Sequence, residues 1–334
     1  MQIAKFDRIR LAHLPTPLEP MDNLRRALGG GPRLFIKRDD CTGLATGGNK
    51  TRKLEFLMAE AQSRGADVVI TQGAVQSNHV RQTAAAACRL GLACHGLLER
   101  RVPTENSDYE ATGNVFLDRM LGAVYEFRSS GLNMEAESAA LADRLHAEGR
   151  NPYVIPGGGS NPVGALGYVN CAFELTAQTT DMGLKLDWLV QATGSTGTQA
   201  GLLAGLAGLS SDIRVMGISV RQPRDRQVEA VHRLAEATAE LVGTRGSVPV
   251  EAVEVDDKYV GPGYGQPTTE TVEAIQLFAR TEGILLDPVY SGKGAAGLIG
   301  LIQQGFFSED ETVVFLHTGG SAALFAYEDF FLTP

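Results

Sequence analysis

Strand-like and helix-like segments alternate along nearly the whole chain, and this alternation restricts the fold more than any other feature of the sequence. Short apolar runs at 67–71 and 188–192 are each followed by a longer stretch with helical periodicity, at 80–90 and 199–209. Strands separated by helices pair in parallel, because each helix returns the chain to the same end of the sheet. The sequence therefore predicts an α/β protein with two open, mostly parallel sheets flanked by helices.

A glycine- and proline-rich run at 156–162 interrupts the alternation and is typical of a crossing between domains. We therefore predict one compact block of elements before this run and a second block after it. The first block has strands at 67–71, 93–98, 123–127 and 152–155 and helices at 80–90, 112–121 and 134–148. The second block has strands at 188–192, 214–220 and 312–317 and helices at 164–179, 199–209, 227–242, 269–282 and 295–304.

The composition is that of an ordinary globular protein. The 334 residues are 43% hydrophobic and 21% charged, which is enough for two domains with sizeable cores. The net charge is −9, from 30 basic and 39 acidic residues, and no basic run offsets it, so we expect no nucleic-acid partner and no membrane partner. The N-terminus lacks the apolar core of a secretion signal, and no stretch approaches the length of a membrane span.

The cysteines and histidines do not form a metal-binding pattern. The four cysteines are scattered without close pairs, and the histidines lack the spacing of a zinc site. We therefore expect reduced thiols, no bound metal and a cytoplasmic location.

Residues 45–50, Ala-Thr-Gly-Gly-Asn-Lys, place the amine of Lys50 beside flexible backbone where an apolar helical pattern begins. The apolar stripe of that helix consists of Leu54, Leu57, Met58 and Ala61. A partly desolvated lysine at such a position loses its proton more readily and can form a Schiff base. The alternative is an ordinary solvated lysine at the start of a helix.

Two strand-to-helix junctions have the composition of anion sites. The segment 194–198, Gly-Ser-Thr-Gly-Thr, offers N–H groups and hydroxyls that suit a phosphate monoester, without the pattern of a P-loop or of a dinucleotide fingerprint. The segment 76–79, Gln-Ser-Asn-His, starts another helix and suits a carboxylate. A tight turn at the first junction and simple helix capping by Ser77 or Asn78 at the second are the structural alternatives.

An active lysine, a phosphate-type loop and a small-anion loop together indicate pyridoxal 5'-phosphate and an amino-acid substrate, since this cofactor needs an amine for its aldehyde and a cradle for its phosphate. Four motifs in order then establish a resemblance that covers essentially the whole chain. They are Lys-Arg-Asp-Asp at 37–40, Gly-Gly-Asn-Lys at 47–50 with Arg-Lys-Leu-Glu at 52–55, Gln-Ser-Asn-His at 76–79 and Asp-Pro-Val-Tyr at 287–290. The chain resembles the 1-aminocyclopropane-1-carboxylate deaminase and D-cysteine desulfhydrase family.

This resemblance implies the tryptophan-synthase-β-like fold, called fold type II, and a homodimer. It also implies a small domain at 53–155 that is inserted into a large cofactor-binding domain formed by 1–52 and 156–334. The partner implied is a small amino-acid substrate.

The resemblance also implies roles for single residues. Lys50 resembles the Schiff-base lysine, Asn78 the amide at the cofactor's 3-hydroxyl, and Ser77 a group at the substrate carboxylate that takes part in proton transfer. Tyr264 and Tyr290 resemble the two active-site tyrosines. The phosphate would be held by a loop that consists of Gly194, Ser195, Thr196, Gly197 and Thr198. The substrate would contact Ser77 and Asn78 together with Gln76, His79 and Thr46.

One departure from the family pattern bears on the chemistry. Where the cyclopropane deaminases have glutamate after Asp-Pro-Val-Tyr, this chain has Ser291, so the carboxylate that would face the pyridine nitrogen is missing. A hydroxyl, from Ser291 or from Thr318, stabilises a protonated ring nitrogen less than a carboxylate does. We therefore expect β-elimination to be favoured over ring opening and transamination.

Within the family, residues 39–48 and 193–199 are most similar to the L-cysteate sulfo-lyases. The reaction implied is β-elimination of L-cysteate to pyruvate, sulfite and ammonia, with Lys50 as the base that takes the α-proton. A sulfonate needs hydroxyls or a cation, and the candidates are Thr46, Thr196, Gln199 and Arg221. The alternatives are a D-cysteine desulfhydrase, which releases sulfide, and a non-catalytic protein that binds an amino acid or phosphate.

Overall fold

Ten strands form two separate sheets within residues 1–332, which the computed structural model describes. The strands are β1 (Leu18–Pro20), β2 (Arg33–Arg38), β3 (Val68–Ala74), β4 (Ala93–Glu99), β5 (Val124–Arg128), β6 (Pro152–Val154), β7 (Trp188–Thr193), β8 (Arg214–Ser219), β9 (Glu254–Asp256) and β10 (Thr312–His317). The helices are α1 (Asp22–Ala27), α2 (Lys50–Ser63), α3 (Asn78–Arg89), α4 (Gly113–Met120), α5 (Met134–Ala147), α6 (Pro162–Asp181), α7 (Gly197–Gly208), α8 (Arg224–Val242), α9 (Thr269–Glu282), α10 (Ser291–Gln303) and α11 (Asp329–Leu332).

The sheets are mostly parallel. The larger sheet has the order β1-β2-β10-β7-β8-β9, and the smaller has the order β5-β4-β3-β6. Every pair of neighbours is parallel except β1 and β2, which are antiparallel. Strand β10 lies inside the larger sheet, where Phe315 pairs with Ile36 on one side and with Val190 on the other. The predicted α/β class with two parallel sheets is therefore confirmed.

Helices cover both faces of the larger sheet and give it a continuous apolar core. Buried residues of α6, α7 and α8 pack with the strands on one face, and they include Leu175, Leu203 and Val231. Buried residues of α9 and α10 pack on the other face, and they include Phe278 and Leu298. Burial on both faces explains why β7 and β10 are apolar without alternation.

The smaller sheet uses only strands between residues 68 and 154, which all fall inside the predicted insertion 53–155. Helix α2 begins at Lys50 and crosses the predicted boundary between residues 52 and 53. The domain limits stay a prediction.

Two predicted elements have the observed bounds, α9 and β10, while five helices begin earlier than predicted. Helices α6 and α8 start at Pro162 and Arg224, against predicted starts at 164 and 227. Helices α3, α7 and α10 start at Asn78, Gly197 and Ser291, whereas apolar periodicity places their starts at 80, 199 and 295. Their first turns consist of glycine and polar residues, which carry no apolar period. The last two residues of each junction segment therefore begin a helix, α3 or α7, whose first turn has free N–H groups.

Five of the named strands and helices are absent from the sequence prediction: β1, α1, β2, β9 and α11. Strand β2 has charged residues at both ends, and β1 and β9 are each three residues long, so none gives a distinct apolar pattern. No helix within residues 1–332 is both long enough and apolar enough to cross a membrane.

Candidate active site

A cavity of about 620 Å³ opens where strands of both sheets end. Its wall includes Ser77 after β3 and Arg101 after β4 of the smaller sheet. It also includes Ser195 after β7, Arg221 after β8 and Thr318 after β10 of the larger sheet. Ligands of parallel α/β proteins bind at these carboxyl ends of strands, and the volume is that of a cofactor-sized site.

Lys50 is the first residue of α2, and its amine reaches the cavity wall, 3.4 Å from the Ser195 hydroxyl. The backbone before it is tightly enclosed, since a Cβ on Gly47 would lie 1.9 Å from the Asp40 carbonyl oxygen. Burial lowers the pKa of the Lys50 amine to about 8. The amine is therefore partly neutral near neutral pH, and the alternative of a solvated lysine does not describe it.

Lys53, one turn after Lys50, is a second buried lysine, and the predicted site does not include it. Its amine donates a hydrogen bond to the Gly158 carbonyl (3.1 Å) and lies 3.0 Å from where a Cβ on Gly197 would stand. Burial, and then the neighbouring charge of Lys50, lower the pKa of Lys53 well below its usual value. No carboxylate within residues 1–332 forms an ion pair with Lys53, so an anion at the start of α7 would supply the missing partner. The sequence signal for Lys53 is its spacing of three residues from Lys50 on one helix, which places the two side chains next to each other.

The segment 194–198 joins β7 to the start of α7, and four of its five residues line the cavity: Gly194, Ser195, Thr196 and Thr198. Gly197 lies behind the wall, where its N–H donates to the Ser195 carbonyl (2.8 Å) and to the Ser160 hydroxyl (3.3 Å). The N–H of Thr198 has no acceptor among the described residues. The positive end of the twelve-residue helix α7 therefore points into the cavity as an anion cradle.

The start of α3 forms the opposite side of the cavity. The Ser77 hydroxyl accepts a hydrogen bond from the Val80 N–H (3.2 Å), so capping, the structural alternative, does occur. Capping uses an oxygen lone pair and leaves the hydroxyl proton free to face the cavity. The Asn78 amide donates a hydrogen bond to the buried Asp287 carboxylate (2.9 Å). This bond uses one of the two N–H donors of Asn78. Both side chains line the cavity, and each keeps a donor for a ligand.

His79 also lines the cavity and carries a free ring nitrogen. Its Nε2 lies 2.8 Å from the Thr71 hydroxyl, and that hydroxyl donates to the Ile155 carbonyl, so Nε2 is the donor of the pair. Its buried Nδ1 has no hydrogen-bond partner within the described chain. Burial, and then the charges of Lys50 and Lys53, lower the pKa of His79 well below its usual value. The ring is therefore neutral at neutral pH.

Three residues predicted to contact the substrate do not line the cavity, because structural hydrogen bonds engage them elsewhere. The Gln76 amide donates to two backbone carbonyls that precede α4, at 2.6 and 3.1 Å. The Thr46 hydroxyl accepts a hydrogen bond from the buried Arg81 guanidinium. The Gln199 amide is fully buried and donates to a carbonyl of β9 (2.9 Å). Of the predicted sulfonate ligands, Thr196 and Arg221 remain on the wall.

The two predicted active-site tyrosines are in direct contact. Tyr290 lines the cavity, and its hydroxyl lies 2.5 Å from that of Tyr264, which stands behind it. Burial raises the pKa of both tyrosines, most strongly that of Tyr290. Both hydroxyls therefore stay protonated at neutral pH.

Ser291 and Thr318, the two hydroxyls considered for the ring nitrogen, have different surroundings. Ser291 is fully buried behind the wall, where its hydroxyl accepts from the Asp287 N–H (2.7 Å) and contacts the Asp287 carboxylate (3.1 Å). Thr318 lines the cavity directly. The structure therefore brings Thr318, and not Ser291, to the site.

A buried ionic cluster fixes the start of α2 and explains two of the four sequence motifs. The Arg52 guanidinium, two residues after Lys50, lies 2.8 Å from the Asp39 carboxylate and 2.9 Å from the Glu174 carboxylate. The Lys37 amine lies 2.5 Å from Glu174. The cluster joins β2, α2 and α6 around well-paired charges, which holds the first turn of α2 at the cavity.

These features fit pyridoxal 5'-phosphate. The Lys50 amine suits the aldehyde, and the start of α7 with Lys53 suits the phosphate. The phosphate cradle depends on glycine at position 158, because a Cβ there would lie 2.4 Å from the Ser195 hydroxyl. The chain thus contains both groups that the cofactor needs, on one cavity.

Comparison with known proteins agrees with the family resemblance that the sequence motifs predict. Residues 9–319 match the family model of pyridoxal-phosphate dependent enzymes. D-cysteine desulfhydrases from Serratia proteamaculans (strain 568) and Salmonella typhi are each 44% identical to this chain, over 326 and 325 residues. The alignments cover 98% and 97% of this chain and 97% of each relative.

Solved structures agree with the sequence comparison. An ACC deaminase homologue superposes with a TM-score of 0.88 at 40% identity, over 98% of this chain and 96% of that chain. O-ureido-L-serine synthase shares the fold, with a TM-score of 0.65 at 16% identity over 98% and 95% of the two chains. The predicted resemblance to the deaminase and desulfhydrase family, and its fold type II, are therefore confirmed. Since the family match spans most of the sequence and the cavity holds a lysine and a phosphate cradle, this chain belongs to the pyridoxal-phosphate dependent enzymes.

Proposed function

We propose that this enzyme removes the β-substituent of a small sulfur-containing amino acid and that D-cysteine is a substrate, which with water gives pyruvate, sulfide and ammonia. The observation that carries this proposal is the partly neutral Lys50 amine on a cavity wall opposite the start of α3. It is supported by relatives named D-cysteine desulfhydrase that are 44% identical over 98% of the chain. The neutral form of the Lys50 amine can act as nucleophile and as base, which a merely binding protein does not require.

Pyridoxal 5'-phosphate, when bound, supplies an aldehyde that holds the amino group and a ring that withdraws electrons from Cα. Lys50 would hold the cofactor and, once displaced by the substrate amine, take the proton from Cα. Lys53 and the N–H of Thr198 would hold the phosphate at the start of α7, while the second Asn78 N–H would donate to the ring hydroxyl. Lys50, Asn78 and Thr198 line the cavity, and Lys53 stands behind its wall at the start of α7.

The start of α3 would hold the substrate carboxylate, through the Ser77 hydroxyl and the helix N–H groups. The Tyr290 hydroxyl would give a proton to the departing sulfide. Tyr290 stays protonated because burial raises its pKa, and its partner Tyr264 keeps the hydroxyl in place. This assignment gives acid and base duties to different residues, Tyr290 and Lys50.

L-cysteate is a second candidate substrate, and one observation favours it. Arg221 stands on the cavity wall together with the Thr196 hydroxyl, and a cation with hydroxyls is what a sulfonate needs. The reaction would be the same elimination with sulfite as the leaving group.

Product analysis tests both candidates. Purified enzyme with pyridoxal 5'-phosphate is given D-cysteine, L-cysteine or L-cysteate, and sulfide, sulfite and pyruvate are measured. We expect sulfide with pyruvate from D-cysteine, a cofactor absorbance band near the visible edge, and loss of both in Lys50→Ala. Lys185→Ala, which changes an exposed lysine, is the matched control. Absence of pyruvate from every substrate, with the cofactor bound, would reject the proposal.

The homodimer and the cytoplasmic location expected from the sequence also belong to the proposal. Light scattering after size-exclusion chromatography measures the first, and cell fractionation measures the second.

A further inference from the structure

Two arginines on the cavity wall have no role in the elimination of a neutral thiol. Arg101 stands two residues after β4 of the smaller sheet, and Arg221 stands two residues after β8 of the larger sheet. They therefore approach the same cavity from its two sides. Such a pair is notable in a chain whose net charge is −9.

Arg101 is held so that one edge of its guanidinium remains free. Its Nε forms an ion pair with the buried Glu99 carboxylate, which in turn accepts a hydrogen bond from the Gly131 N–H (3.1 Å). Its guanidinium also lies over the Tyr264 ring, 5.5 Å from the centroid. Neither terminal nitrogen has an acceptor among residues 1–332. A guanidinium anchored at Nε presents the edge between its terminal nitrogens, which is the edge that binds oxyanions in a two-point manner.

Arg221 has no partner of its own in the part of the chain that the structure describes. It is exposed, and it makes neither a hydrogen bond nor an ion pair there. Burial raises the pKa of Tyr264, and the charges of Arg101 and Arg221 both oppose this rise. Both guanidinium groups therefore lie within electrostatic reach of one tyrosine, whose hydroxyl contacts Tyr290 on the cavity wall.

The two acidic residues on the cavity wall, Glu99 and Glu135, do not neutralise the charges of Arg101 and Arg221. Glu99 is already occupied by Arg101 and by a backbone N–H. Glu135 stands exposed in the first turn of α5, and it forms no ion pair with Arg221. The terminal nitrogens of both arginines stay available to an anion.

We propose that Arg101 and Arg221 form an anion subsite that binds a sulfonate on the β-carbon of the substrate and selects L-cysteate over a thiol amino acid. The proposal rests on the elimination proposed above. A sulfonate carries a permanent charge on three oxygens, so two guanidinium groups can share it, whereas a protonated thiol gains nothing from them.

The subsite acts on the step that breaks the Cβ–S bond. The proton leaves Cα for Lys50, and the electron pair of the Cβ–S bond departs with the sulfur as sulfite. Overall, L-cysteate and water give pyruvate, bisulfite and ammonium, so atoms and charge balance. The arginines bind the sulfonate before the bond breaks and the sulfite after it.

A binding measurement tests the subsite without turnover. The holoenzyme is titrated calorimetrically with 3-sulfolactate, in which a hydroxyl replaces the amine, and with glycerate, in which a hydroxyl also replaces the sulfonate. We expect 3-sulfolactate to bind at least about tenfold more tightly than glycerate. Arg101→Gln and Arg221→Gln should each remove most of this advantage. Arg100→Gln and Arg224→Gln, at neighbouring arginines that are 49% and 61% exposed and do not line the cavity, should keep it.

Turnover gives an independent readout. The ratio of kcat/KM for L-cysteate to that for D-cysteine should fall about tenfold in either glutamine variant, and Arg221→Lys should restore part of it. Because Arg221 is exposed, its variants keep the test valid even where Arg101→Gln fails to fold.

Equal affinity of the wild type for the two probes, or an advantage that survives both glutamine variants, would overturn the subsite. If 3-sulfolactate binding depends on the arginines but neither amino acid yields pyruvate, the elimination proposal fails and the subsite stands. The two proposals can thus fail separately.

Discussion

The hydroxyl groups of Tyr264 and Tyr290 lie 2.5 Å apart, and their rings meet edge to face with centroids 5.7 Å apart. Tyr290 stands just before α10 on the cavity wall, while Tyr264 comes from the loop after β9. Burial raises the pKa of both residues, so both keep their protons through neutral pH. Tyr290 therefore presents a protonated hydroxyl on the cavity wall, and Tyr264 contacts that hydroxyl from behind the wall.

We predict that Tyr290→Phe lowers kcat for β-elimination by about 100-fold or more, since a positioned proton donor contributes about that much. Tyr264→Phe should lower it by about tenfold, because the donor remains but loses its partner. Steady-state kinetics measure both, and unchanged cofactor absorbance checks that the site is intact. Equal losses in the two variants would contradict this division of roles. The pH profile of kcat should show no pKa below about 9 that either tyrosine variant removes.

The sequence identified those parts of the site that are continuous in the chain. Lys50 in Gly-Gly-Asn-Lys, the loop 194–198 and the segment 76–79 are local patterns, and each contributes residues to the cavity wall. Local patterns do not predict the surroundings of Lys53 and Arg101, because these two residues contact partners that are far away in the sequence. Lys53, for example, meets Gly158 only across the fold.

Some polar side chains that the sequence predicts as ligands instead form hydrogen bonds within the fold. The polar groups of Gln76, Gln199 and Ser291 look available in the sequence, yet each is engaged by backbone that only the fold brings near. Arg81 on α3 shows the same effect, because it donates to the carbonyls of Ala45 (3.2 Å) and Gly47 (3.0 Å) and fastens the turn before Lys50. Periodicity contains no information about such long-range hydrogen bonds.

The lowered pKa of Lys50 predicts how the apo-enzyme takes up its cofactor. The neutral amine is the nucleophile, so the rate of pyridoxal 5'-phosphate uptake should rise with pH and reach half its maximum near pH 8. Stopped-flow absorbance from pH 6 to 11 would measure the profile. A midpoint near that of an ordinary lysine would show that the amine is solvated. Lys185→Ala, at an exposed lysine, should leave the profile unchanged.

Lys53 should matter for cofactor affinity more than for the chemical step. Its buried amine stands at the start of α7 without a carboxylate partner in the described chain, so a phosphate would provide its counter-charge. Lys53→Met, which keeps much of the volume, should weaken pyridoxal 5'-phosphate binding by about tenfold or more. Equilibrium dialysis measures the affinity. Pyridoxal, which lacks the phosphate, should bind the variant and the wild type equally, and a loss with both ligands would assign Lys53 another role.

Thr318 and Ser291 should have separable effects. Thr318→Ala removes a hydroxyl from the cavity wall and should shift the absorbance maximum of the bound cofactor. Ser291→Ala removes the partner of the Asp287 N–H and should cost about 1 kcal/mol of stability without moving the band. Spectra and thermal unfolding of both variants test this. A spectral shift in Ser291→Ala alone would indicate that Ser291, and not Thr318, contacts the ring nitrogen of the cofactor.

Ser291→Glu would place a second carboxylate against buried Asp287, whose pKa is already raised by burial. We expect a lower thermal midpoint and no gain in cyclopropane deamination. A stable variant with such a gain would mean that the new carboxylate reaches the ring.

Acid should weaken the cluster that holds the start of α2. Burial by itself would raise the pKa of Glu174, but hydrogen bonds and charge from Arg52 and Lys37 outweigh it and lower the pKa to about 2. A carboxylate with a lowered pKa contributes stability above its ordinary pKa, and this is lost as the pH falls through the folded-state value. The relevant window therefore runs from pH 4.5 down to about 2, and the shift corresponds to about 3 kcal/mol.

We predict that Glu174→Gln lowers the free energy of unfolding at pH 7 by about 3 kcal/mol, because Arg52 and Lys37 lose a buried partner. The difference from wild type should shrink as the pH falls from 4.5 towards 2, since protonation removes the same charge from the wild type. Urea unfolding at fixed cofactor concentration measures both values. Glu126→Gln, which removes a carboxylate from a more exposed pair with Arg128, is the control and should change stability far less. If the Glu174→Gln difference stayed constant across this window, Glu174 would not be the group whose ionisation the cluster stabilises.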